Sequence, residues 1–278
     1  MKINTLKTTV LAALAITALS VATANAQSDD AGNYGMIASS TFTNGSNGGS
    51  GFNPWVLNST STNATENGEF LGDSSDTGPG GHANINTPSN GAAWGLYANS
   101  NQIASAVRPF SAPLQIGQTV SIDFENGFVQ TNSPAGTVGL GLQDAGSTNR
   151  IEFFFVGGQS DYTLQTASGA DTGIGFTDTG LHVAFTLASA NTMNVTVTGL
   201  NGNAASFTTN GIALEGTPGS AISQIRLFDF NSGVPGAEDP NQYDAFYNNL
   251  NIVPEPSSFA LVGLGLLGLM GLRRHRRK

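Results

Sequence analysis

The sequence predicts an all-β fold, an antiparallel β-sandwich or jelly roll, for the long middle of a 278-residue chain. Three observations predict it. Apolar and polar residues alternate at period two in short runs. Clusters of Gly, Asn, Ser and Thr separate those runs. No stretch shows a capped helical period, and the middle of the chain has no lysine and little glutamate, so strong helix formers are scarce. With no cysteine, there is neither a disulfide framework nor a thiolate to bind metal or act as nucleophile.

The elements follow in order. Lys2 and Lys7 precede a short apolar run over 10–21 and the small residues Ala24-Asn25-Ala26. This is the pattern of a secretory signal peptide, cleaved by signal peptidase after Ala26 to leave Gln27. The apolar run is too short to span a bilayer. Residues 1–26 are therefore read as leader, 27–252 as one sandwich ectodomain, and 253–278 as a sorting tail. Residues 44–91 are rich in Asn, Ser, Thr and Gly, with apolar islands at 52–57 and Phe70-Leu71. They read as ordered loops at one edge of the sandwich or as short outer strands.

Alternation is clear from Val120 through Ile122 to Phe124, ending at the turn signal Asn126-Gly127, and in Val138, Leu140 and Leu142. A near-continuous apolar run covers 151–156. Leu181, Val183, Phe185 and Leu187 alternate again, then Met193, Val195 and Val197; runs at 204–208, 222–230 and 243–252 complete the series.

The tail has three parts. Val253-Pro254-Glu255-Pro256 is extended and non-helical, the apolar segment 259–272 rises only about 21 Å as a helix, and Arg273, Arg274, Arg276, Arg277 and Lys278 close the chain. A membrane helix this short leans on its cationic end, which stays cytoplasmic and leaves the ectodomain outside. Gly263-Leu264-Gly265-Leu266-Leu267-Gly268 matches a dinucleotide fingerprint by coincidence, having neither the preceding strand nor the following acid.

Between Gln27 and Val253 three arginines face eighteen acids, a net charge near −15. Such a surface repels phosphate backbones and excludes nucleic acid as a partner. Among candidate sites, Asp123 and Glu125 stand two apart on one strand, hence on one face, as a glycosidase carboxylate pair would. They are the alternative to a non-catalytic domain. The oxygens of Glu238, Asp239, Asn241 and Asp244, before the last strand, suit Ca²⁺. Asp73 and Asp76 form a second acidic pair, and Asx-type turns are the competing role for both clusters. Trp55, Trp94, Tyr97 and Tyr162 are candidate sugar-stacking aromatics, although Trp94 and Tyr97, three apart on a strand, face opposite sides. His182, between Leu181 and Val183, points outward.

The order V-P-E-P, short Gly-rich apolar segment, Arg-rich terminus resembles the PEP-CTERM sorting signal of exported bacterial proteins. The resemblance implies recognition at Pro254-Glu255-Pro256 by exosortase, transient residence in the inner membrane, and passage to the cell surface or extracellular matrix of a Gram-negative, exopolysaccharide-making bacterium. Trp94-Gly95-Leu96-Tyr97-Ala98, Arg108-Pro109-Phe110, Gly157-Gly158 and Asp244-Ala245-Phe246-Tyr247-Asn248-Asn249 are similar to the concanavalin-like and jelly-roll ectodomains of such proteins. That likeness implies the sandwich fold and tilts the function towards polysaccharide as a partner, since several such sandwiches bind carbohydrate while many have no assigned activity.

Overall fold

A computed structural model describes residues 26–75, 84–235 and 240–254. The leader up to residue 25, Asp76, His82, Glu238, Asp239 and the tail from Glu255 onward, Pro256, Arg273 and Arg274 included, lie outside the described residues.

Fifteen strands are described: β1 (Gln27–Asp29), β2 (Val56–Ser59), β3 (Asn67–Gly72), β4 (Ala93–Ala98), β5 (Ile103–Pro109), β6 (Thr119–Asn126), β7 (Thr137–Asp144), β8 (Asn149–Val156), β9 (Asp161–Gln165), β10 (Ala170–Gly175), β11 (Leu181–Ser189), β12 (Thr192–Gly199), β13 (Ser206–Ala213), β14 (Ile222–Phe230) and β15 (Ala245–Val253). They form two antiparallel sheets. One runs β13-β12-β11-β6-β15-β4-β3, with β1 paired to β15; the other runs β10-β9-β8-β7-β14-β5-β2. The alternation locates the strands because each buries one side. Val120, Ile122 and Phe124 of β6 are fully buried, as are Val183 and Phe185 of β11, Val195 and Val197 of β12, and Ile225 and Leu227 of β14.

Residues 44–91 are more than edge loops. They supply β2 and β3, the edge strands of opposite sheets, and bury Phe52, Trp55 and Leu71. The turn signal Asn126-Gly127 does not close a hairpin, because β6 and β7 belong to different sheets and the chain crosses between them. The last two strands enter the middle of the sheets. Ile225 of β14 lies between Arg108 and Leu142, and Tyr247 of β15 between Trp94 and Phe124. Tyr247 also ties the sheets together, its hydroxyl shared between the carbonyls of Gly139 (2.9 Å) and Phe228 (3.0 Å).

A buried polar knot holds β1 against the 46–53 segment. Arg108 Nη2 pairs with Asp29 Oδ2 at 2.8 Å, both side chains fully buried. The same guanidinium donates to Asn53 O and Asn47 Oδ1 and lies over the rings of Phe52 and Trp55. Tyr34 donates to Asp29 at 2.6 Å, and Trp55 Nε1 donates to Tyr34. β1 is thereby built into the core.

Candidate functional site

The acidic pair on β6 shares a face, as its spacing requires, but does not open to a ligand. Asp123 is held at 2.7 Å by His182 Nδ1 and at 2.7 Å by Asn249 Nδ2. His182 keeps 38% of its side chain in solvent. Glu125 is 1% exposed and lies opposite Phe246 in the ladder. The face beyond Phe246 is roofed, for Ile85, Ala93 and Phe246 pack with Phe70 and Leu200 as a second apolar cluster. Asn248 fastens the roof. Its amide donates to Ile85 O (2.7 Å) and Ala92 O (3.3 Å), while its carbonyl oxygen accepts from the backbone N–H of Ala31 and of Asn249. A glycosidase carboxylate pair must reach one glycosidic bond from both sides, and here one member is sealed.

Three of the four expected aromatics are core. Trp55 and Trp94 are 1% and 0% exposed, packed edge to face at 5.1 Å, so neither is available to stack on a sugar. Trp94 sits at an inward position of β4, the usual fate of a large ring, and Trp55, just before β2, is covered by the Arg108 guanidinium and tied to Tyr34. Tyr162 is likewise core. Tyr97 faces outward, edge-on to Phe70, its hydroxyl donating to Ala64 O.

Of the four calcium candidates, Asp244 is the one whose side chain is described, and it is buried. Among the described residues no three His, Cys, Asp or Glu side chains gather to hold a metal. Asp73 accepts from the N–H and hydroxyl of Ser75, the Asx-turn role. Asp244's charge bears on the buried carboxyl of Asp229, which accepts from Ser232 N and Oγ. Burial, chiefly, pushes the Asp229 carboxyl well above the usual carboxylate range. The native state thus keeps a proton that the unfolded chain releases. The associated stability is fully present below about pH 4 and is lost as pH rises through the folded value. Asp229→Asn should flatten the dependence of urea-unfolding free energy on pH above about pH 4 and stabilise the protein near neutrality. Parallel curves for wild type and variant would contradict this.

The open site lies elsewhere. A cleft of about 660 Å³ is walled by 173–177, Thr179 and 201–206, within the volume range of ligand pockets. Local backbone chemistry shapes it. Gly173 at φ 63° sits where the β9–β10 register shifts, and Asn201 and Gly202 at φ 50° and 84° make the tight turn between β12 and β13. Phe176, 37% exposed, projects here. Its ring lies against Phe155 and nearly parallel to Phe128, itself 38% exposed, at 6.0 Å and 18°. Tyr243 meets Phe128 edge-on. The polar wall is ordered before any ligand arrives: Thr177 and Thr179 hydroxyls pair at 2.7 Å, and Asn203 Nδ2 donates to Thr177 Oγ1. Phe128 and Phe176 escaped the sequence reading because both lie outside strands, where no alternation assigns a side.

This cleft and the ends of the ectodomain occupy opposite ends of one sheet. Val253 pairs with Thr119 at the start of β6 and Gln27 pairs with Ile252, whereas Leu181, beside the cleft, pairs with Phe124 near the end of β6. A strand of that length spans about 25 Å.

Residues 253–277 match the PEP-CTERM protein-sorting motif. The chain is thus an exported protein sorted to the cell envelope or surface, and the motif implies processing by exosortase. No curated protein matches it in sequence. Among solved structures it is similar to a family 16 glycosyl hydrolase from Mycobacterium smegmatis (13% identity, 81% of this chain and 98% of that one, TM-score 0.45). It is also similar to a protein of unknown function from Shewanella oneidensis (13%, 86% and 93%, TM-score 0.41). A third likeness is to a sialidase (16%, 60% of this chain, TM-score 0.41), of whose length this chain spans 16%. At these identities nothing about activity transfers.

Proposed function

We propose that this exported, PEP-CTERM-sorted protein is a non-catalytic surface or matrix component whose sandwich binds exopolysaccharide through the cleft at Phe176. The observation that carries the reading is the cleft itself: the solvent-exposed Phe176 ring, backed by the nearly parallel ring of Phe128, beside a wall of ordered hydroxyls and amides. Pyranose rings present apolar C–H faces bounded by hydroxyls, so an aromatic platform with donors and acceptors at its rim meets both halves of their chemistry. Attachment and binding also keep apart, since the sorting motif begins where β15 ends, at the far end of the sheet.

Affinity electrophoresis of the processed protein through polysaccharide-containing gels tests it. Phe176→Ala, and separately Phe128→Ala, should weaken retention roughly tenfold, the scale of one well-placed aromatic contact, with the melting temperature nearly unchanged. Retention unaffected by either change would remove the cleft from the account. Reducing-end release that Glu125→Gln abolishes would replace binding by hydrolysis on β6.

A further inference from the structure

We infer that the cleft selects neutral polysaccharide and rejects uronate, sulfated and phosphorylated chains; this rests on the saccharide reading above. The argument begins with what an acidic sugar requires. Proteins recognise carboxylate, sulfate and phosphate groups through cations, above all the planar fork of arginine. Between Gln27 and Val253 this chain has three arginines and no lysine. None of the three lines the cleft, and each is already engaged. Arg108 is fully buried against Asp29. Arg150 is fully buried, donating to Thr217 O. Arg226 lies over the Phe228 ring at 4.8 Å with the charge of Glu152 beside it. His182, half in solvent, is engaged by Asp123.

The cleft repeats this locally. No charged residue lines it, and its polar wall is made of hydroxyls, amides and backbone. Acids flank the lining segment in the chain. Asp171 is exposed and accepts from Gly173 N, and Asp178 stands between the lining residues Thr177 and Thr179. A carboxylate entering here would find no cation, two nearby like charges, and the field of a domain carrying about fifteen excess negative charges. A neutral hexose chain meets none of these penalties and keeps every stacking and hydroxyl contact.

The test compares matched polymers by affinity electrophoresis or calorimetry, at low ionic strength and with chelator present so that divalent ions cannot bridge. Dextran, mannan and galactan serve as neutral probes; alginate, polygalacturonate and dextran sulfate serve as acidic ones. At least one neutral polymer should bind in a Phe176-dependent manner, about tenfold or more tighter than any acidic polymer, the factor expected from unscreened like charges at contact range. Thr179→Lys should narrow that gap, and added salt should narrow it in the wild type. Phe176-dependent binding of an acidic polymer at equal or higher affinity would overturn the selectivity while leaving saccharide binding standing. Binding to no polymer of either set would overturn the saccharide reading and the selectivity with it.

Discussion

Arg108→Met is expected to destabilise the ectodomain by about 3–5 kcal/mol, the cost of leaving one partner of a buried ion pair uncompensated. With Arg108 gone, Asp29 stays buried with its charge and keeps only the hydroxyl of Tyr34 and the amide of Asn33 as donors. Asn47 Oδ1 and Asn53 O lose their guanidinium donor as well, so the 46–53 segment loosens along with β1. Against a total stability of about 5–15 kcal/mol for a typical domain, that loss endangers folding outright. Urea midpoints of Arg108→Met, Asp29→Asn and the double variant form the decisive cycle. The double variant should be far less damaged than the sum of the singles, because removing both partners leaves no orphan charge. Simple additivity would mean the pair contributes nothing as a pair.

The second large effect is expected at Asn248, which is fully buried and bonded through both ends of its amide. Asn248→Ala leaves the N–H of Ala31 and the carbonyl of Ile85 without this partner in the interior, at about 1–3 kcal/mol each. The loss should be local before it is global. The 84–92 segment is held over the β15–β4 face by Asn248 and by the small cluster around Ile85 and Phe246, so it should open first. Hydrogen exchange should show protection lost in 84–92 and at the Glu125–Phe246 ladder, with the 181–199 hairpin unchanged. Uniform loss of protection throughout the sandwich would show that the segment is no independent cover.

Much of the architecture was legible in the chain because its strands each bury one side. β6, β11 and β12 carry large apolar residues at every second position, and the structure places all three where the alternation did. β5 was not legible. Its inward positions are Ala104, Ala106 and Arg108, two small residues and a charge, so the period that marks a strand has almost no amplitude. β10 failed for a related reason, its five-letter core Ala-Asp-Thr-Gly-Ile holding one large apolar side chain and a register shift.

The sequence by itself determined the sorting motif, the acidic and lysine-free character of the domain, and the sandwich class. These depend on composition and local period, which a linear chain displays in full. The tertiary structure alone decided which aromatics meet solvent and which acids are sealed. Period two tells that Asp123 and Glu125 share a face, but whether anything roofs that face depends on Ile85, some forty residues away in the chain, and on Asn248, more than a hundred away. Likewise nothing local separates Trp94, walled in by Trp55 and Phe42, from Phe176, left open on the connection between β10 and β11. Burial is a property of what the rest of the chain brings to a residue, and no local pattern in the sequence displays it.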